Sequence, residues 1–114
     1  MYRINKETGV FEIVRGDSAD FKINLYKRDS EGKIIGEYTP EEGDLIYFTV
    51  RKSTKDTDPI LIQKIGQYLE LEPEDTHNLK YGKYMYDVQL TYASGYTDTI
   101  VLPTEFKILE EVTF

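Results

Sequence analysis

Leu79-Lys80-Tyr81-Gly82-Lys83-Tyr84-Met85-Tyr86-Asp87-Val88-Gln89-Leu90-Thr91 reads as one long β-strand. Tyr84, Tyr86, Val88 and Leu90 alternate with Met85, Asp87, Gln89 and Thr91. A period of two places the first set on one face of a sheet and the second on the other. The polar run Glu74-Asp75-Thr76-His77-Asn78 leads in, and Gly82 stands just ahead of the first inward aromatic. This strand is expected at the centre of the fold.

Working outward, Ala93-Ser94-Gly95-Tyr96 has the composition of a tight hairpin connection. Thr97 to Leu102 then returns antiparallel. Pro103 breaks or bulges that return, since proline has no N–H to donate to a ladder, and Phe106 and Ile108 continue it. On the other side, Leu45 to Arg51 is a second strong strand. Ile46, Phe48 and Val50 form one face, and Leu45 and Tyr47 give the opposite face a partly covered look. Ile60 to Lys64 and Tyr68 to Glu72 are shorter strands flanking Gly66, and Pro73 ends the second. Glu74 to Leu79 suits a single helical turn, because proline and acidic residues favour a helix start.

Nearer the N-terminus, residues 1–9 read as a polar lead ending in a turn, and Val10 to Val14 as a short strand. Asp20 to Lys27 reads as one unbroken alternating strand with Phe21, Ile23 and Leu25 inward. A turn built on Asp29-Ser30-Glu31-Gly32 returns it through Ile34 and Ile35. Lys52 to Pro59 is the most polar run and is expected to be a long loop.

About seven to eight short strands with turn signals at regular spacing predict an all-β antiparallel β-sandwich, a single domain over residues 1–114. Immunoglobulin-like packing is the expected variant. Tyr84, two residues before Tyr86 and just after Gly82, stands where such domains carry a corner tyrosine whose hydroxyl bonds back to the upstream backbone. The expected core is Phe21, Ile23, Leu25, Ile46, Phe48, Val50, Leu69, Leu71, Tyr84, Tyr86, Val88, Phe106 and Ile108.

Composition narrows the function classes. The chain has 114 residues and no cysteine, so packing alone must hold the fold and a thiolate metal site is excluded. A formal net charge of −7 disfavours binding to nucleic acid or to an anionic membrane surface. Met1 to Val14 holds four charged side chains and no apolar run, so neither a signal peptide nor a membrane span is expected. Tyrosine is abundant, with 10 copies against 5 phenylalanines.

Specific site signals are sparse. Arg15-Gly16-Asp17 matches an integrin-type tripeptide, but it sits at a strand-to-strand turn and turn chemistry is the favoured reading. His77, the one histidine, has no companion zinc ligands or marked nucleophile and is expected to face solvent or cap. Carboxylates cluster at Glu41-Glu42-Asp44, Glu70-Glu72-Glu74-Asp75 and Glu110-Glu111. A glycosidase pair would need a cleft to work in. Asp56-Thr57-Asp58 offers oxygen ligands for weak calcium binding but no EF-hand pattern. No catalytic, cofactor or metal residues are therefore assigned. Tyr47, Tyr81, Tyr92 and Tyr96 are the candidate interaction surface, an exposed aromatic patch for protein or sugar, against ordinary cross-strand packing.

The order of these motifs resembles a known family. Arg15-Gly16-Asp17-Ser18 precedes the alternating Asp20-Phe21-Lys22-Ile23-Asn24-Leu25; Gly43-Asp44-Leu45-Ile46-Tyr47-Phe48-Thr49-Val50-Arg51-Lys52 follows. Then come Tyr84-Met85-Tyr86-Asp87-Val88-Gln89-Leu90 and the Pro103-broken final strand. The pattern is similar to the N-terminal immunoglobulin-like domain of phage baseplate upper proteins and related small prophage structural proteins. Members of that family continue into a helical linker and a C-terminal domain, whereas this sequence stops at Phe114. The resemblance implies a non-enzymatic virion component of a tail or baseplate, made in the bacterial cytoplasm. It implies other phage structural proteins as partners, possible homo-oligomers, and no cofactor. The alternative is a carbohydrate- or cell-surface-binding β-sandwich module. A hydrolase built on a carboxylate pair is the weakest alternative.

Overall fold

The computed structural model describes residues 1–55 and 57–110. These form ten strands and one short helix. In chain order the strands are β1 (Tyr2–Ile4), β2 (Phe11–Val14), β3 (Ala19–Lys22), β4 (Tyr26–Arg28), β5 (Ile34–Glu37), β6 (Leu45–Arg51), β7 (Ile60–Ile65), β8 (Tyr68–Leu71), β9 (Gly82–Thr91) and β10 (Thr97–Leu109); helix α1 (Pro73–His77) lies between β8 and β9.

A six-stranded sheet runs in the order β1-β2-β10-β9-β6-β7, with β9 inside it as its alternation requires. Tyr84, Tyr86, Val88 and Leu90 are buried, and Met85, Asp87, Gln89 and Thr91 are half-buried on the other face. The register sets Phe48 opposite Val88 and Val50 opposite Tyr86, so two hydrophobic rows merge into one inner face. Phe11 and Ile13 of β2, with Phe106 and Ile108 of β10, extend it. The two-stranded β3–β8 ribbon covers this face. Phe21 docks edge-on against Phe11 and Phe48 at ring distances of 5.2 and 5.4 Å, and Leu69 and Leu71 are buried beside it.

The expected core holds, with two adjustments. Phe21 and Ile23 are half-buried at its margin, and Phe11, Ile13, Ala19, Ile62 and Leu90 belong to its interior. The described residues are mainly β with one helical turn, but pairing is not antiparallel throughout. The β2–β10 pair is parallel, with Phe11 beside Phe106. β10 has β9 on one edge and β2 on the other.

Two sequence expectations change and two are refined. The N-terminal lead contains a strand, β1, held by Tyr2 opposite Ile13. The long strand expected over Asp20 to Lys27 is two, β3 and β4, because the ladder with β8 ends at Lys22–Tyr68. Beyond it the Gln67 side-chain amide donates to the Ile23 carbonyl at 3.1 Å, and the Ile23 N–H donates to the Gln67 carbonyl at 2.8 Å. The return strand through Pro103 is one strand, β10, with register shifts between Thr99 and Thr104 that absorb the proline. The expected helical turn forms one residue earlier than Glu74, at Pro73. A reciprocal capping box between Glu72 and Asp75 fixes it. Thr76, fully buried, accepts the Gly16 N–H at 2.8 Å and ties the helix to the turn after β2.

Among the described residues no helix is long and apolar enough to cross a membrane.

Candidate functional site

The four candidate tyrosines fall in three places. Tyr92 and Tyr96 flank the β9–β10 turn with ring centroids 5.9 Å apart, and Tyr38 joins them edge-on at 6.0 Å from Tyr92. Tyr81 precedes β9, whose ten residues span about 33 Å, so it lies at the opposite end of that strand from Tyr92. There the Arg15 guanidinium sits 4.4 Å from its ring centre. Tyr47 lies on the outer face of the six-stranded sheet, opposite Gln89. No single patch contains all four.

The Tyr38–Tyr92–Tyr96 end is held from within. The Tyr38 hydroxyl donates to Asp44 at 2.5 Å. Asp44 also accepts the backbone N–H of Glu41 at 2.9 Å and of Ala93 at 3.2 Å. The hydrogen bond to Asp44 pushes the Tyr38 phenol up to about 12. The same bond, followed by the backbone donors, holds the Asp44 carboxyl below the usual range. Gly43, at φ +92, brings the loop so close that an added Cβ would stand 2.8 Å from the Ala93 Cβ. Asp44 therefore staples two loops. Of the acidic clusters, this one and Asp75 have structural duties, Asp75 through its cap and a 2.9 Å ion pair with Lys64.

The remaining motif readings resolve simply. Asp17 pairs with the N-terminal amine in a turn where Gly16 takes φ 84, so turn chemistry accounts for Arg15-Gly16-Asp17. His77 is exposed at the end of α1. Among the described residues no three His, Asp or Glu side chains converge as a metal site would need. Asp56 and Glu111 lie outside the described residues, so the proposed calcium loop and one carboxylate pair do too. Asp58 accepts from the Ser53 hydroxyl at 2.5 Å.

Two features emerge that the sequence reading missed. The first is an arm. β4 and β5 pair with each other, Tyr26 opposite Glu37, around a turn at Asp29 to Lys33, and every residue of both strands is exposed. Its base is tied by the Tyr38 N–H to the Leu25 carbonyl at 2.8 Å and by a 3.2 Å ion pair from Lys22 to Glu37. Beyond the base it packs substantially against no other described element. Tyr26, Ile34 and Ile35 are 54%, 48% and 62% exposed. The signal was present as paired isoleucines in a polar hairpin, which reads the same in a buried ribbon.

The second feature is a concavity of ≈ 460 Å³ on the outer sheet face. Tyr47, Thr49 and Arg51 of β6, Gln63 of β7, and Asp87 and Gln89 of β9 line it, with Pro103 and Ser53 at its margins. Burial pushes the Asp87 carboxyl up, and the nearby Arg51 charge opposes that shift. No family model, curated protein or solved structure matches this chain.

Proposed function

We propose that this chain is a non-enzymatic assembly module of a phage or prophage tail, an immunoglobulin-like β-sandwich that docks onto other structural subunits. The observation that carries the reading is the β4–β5 arm. Two-stranded hairpins are marginal in water when they pack on nothing. This one presents Tyr26, Ile34 and Ile35 to solvent, and a groove on a neighbouring subunit would bury them. Each such side chain contributes about 1.5–3 kcal/mol on full burial. Association costs about 4–15 kcal/mol, so the arm needs a receptive partner with further contacts. A second docking element is available in β7. This six-residue strand is an edge of the large sheet among the described residues, with Ile60 and Ile65 exposed. Edge strands of this kind accept a partner strand.

Two features favour the immunoglobulin-like variant. The order β10-β9-β6-β7, facing the β3–β8 pair, follows the G-F-C-C′ sheet of variable-type domains facing its B and E strands. The Tyr84 hydroxyl donates to the Lys80 carbonyl at 2.7 Å, the bond a corner tyrosine makes.

Mass spectrometry of particles purified after induction of the host provides the test. The reading expects this chain in the particle at a fixed ratio to tail subunits, with tail genes flanking its own. Its absence from particles, with unrelated genes on both sides, overturns the reading.

A further inference from the structure

The outer face of the large sheet divides into two chemically different halves. Across β1, β2, β10 and the start of β9, charges are paired. Arg3 donates to Glu12 at 2.5 Å, and Glu105 lies within 3.5 Å of Lys107 and 3.9 Å of Lys83. Across β6, β9 and β7 the face is concave; there the Gln63 amide donates to the Thr49 hydroxyl at 3.2 Å and the Ser53 hydroxyl to Asp58, while Arg51, Asp87 and Gln89 are left open. Arg51, Asp87 and Gln89 make no side-chain hydrogen bond or close ion pair with a described residue, and Arg51 acts on Asp87 only through its charge. All three are half-buried, with Tyr47 opposite Gln89 and Met85 opposite Arg51. Half-buried donors and acceptors without internal partners must be satisfied by water or by a ligand.

The lining chemistry selects the ligand class. One guanidinium and one carboxylate leave the concavity without net charge, in a protein whose formal net charge is −7. Neither a phosphate nor a cation is favoured there. The Gln89 amide, with the capacity the Gln63 amide and Thr49 hydroxyl keep beyond their mutual bond, supplies both donors and acceptors, and Tyr47 supplies a ring beside them. Few convergent polar groups around an aromatic surface suit a small or extended ligand with many hydroxyls.

We infer that the groove over β6, β7 and β9 binds a neutral saccharide chain, with Tyr47 as the stacking surface and Arg51, Gln63, Asp87 and Gln89 as hydrogen-bonding partners. The site is separate from the arm, so it stands whether or not the assembly reading does.

The test is an amide NMR titration of the whole chain with neutral oligosaccharides: maltohexaose, cellohexaose, xylohexaose and chitohexaose, with a heparin hexasaccharide as the anionic comparison. At least one neutral chain is expected to shift amides of Thr49, Asp87 and Gln89, with a Kd of about 1 mM or tighter. Tyr47→Ala and Gln89→Ala should each weaken binding about tenfold or more, and Tyr96→Ala, at the end of the sheet, should leave it unchanged. Gln89→Ala serves as the folded control should Tyr47→Ala lose structure. No shift with any neutral sugar, shifts confined to the Tyr92–Tyr96 turn, or tighter binding of the heparin fragment overturns the inference. Protection of Asp87 and Gln89 by a protein subunit, without any sugar response, assigns the face to protein instead.

Discussion

Phe48 shows what single side chains contribute. It is fully buried, with ring contacts to Phe11, Phe21, Tyr86 and Phe106 between 5.3 and 6.3 Å. Phe48→Ala removes the hub of that cluster and should cost about 3–5 kcal/mol, read by urea denaturation. Tyr38 and Asp44 give a pH signature. The phenol's folded pKa lies above its unfolded value, so the bond's contribution is intact below pH 10 and fades as pH rises towards about 12. The carboxyl's folded pKa is depressed, so the same bond is also lost on acidification, once pH falls below the ordinary carboxylate range. Asp44→Asn should return the Tyr38 titration towards 10, as followed by phenolate absorbance. An unchanged titration would mean the two side chains do not meet. These residues also mark the limits of reading side chains from sequence. Phe48 was legible as core because its strand alternates. Asp44 looked like one of several loop carboxylates, since its donors arrive from Tyr38 and Ala93, the latter 49 positions away.

Elements were legible where one face is buried and the other wet. β6 and β9 follow their alternation to within a few residues, because a slip of one position would turn their apolar rows outward. β1 was not legible, since Tyr2 and Ile4 gain their meaning only from β2 alongside. The β3–β4 break was hidden because Phe21, Ile23 and Leu25 keep their alternation across it, while the pairing partner β8 runs out. The groove was hidden for a related reason. Its residues come from three strands and look, one strand at a time, like ordinary polar faces. α1 makes a prediction of its own. Thr76→Val keeps the shape of the helix but leaves the Gly16 N–H without its 2.8 Å acceptor. A buried donor left unsatisfied costs about 1–3 kcal/mol, and thermal unfolding of the variant should show it. The arm behaves in the opposite way. Amide exchange across β4 and β5 should be far faster than across β9 in the isolated chain, because the arm can open without disturbing the core.

Taken whole, the molecule is longer than its chain length requires. Its radius of gyration is 15.1 Å and its extents are 52 × 29 × 24 Å, where a compact domain of this size has a radius of about 13 Å. A core between one large sheet and the β3–β8 ribbon, with an exposed apolar hairpin beside it, suits the proposed docking part, and that docking is what needs testing. The most direct measurement is affinity purification of the chain co-expressed with the products of its flanking genes, beside an Ile34→Asp, Ile35→Asp variant. The account predicts that the wild-type chain retains a structural subunit, and that the variant loses it at least tenfold while keeping its thermal unfolding midpoint. Equal retention by both proteins, or no retained subunit at all, would contradict an arm that docks.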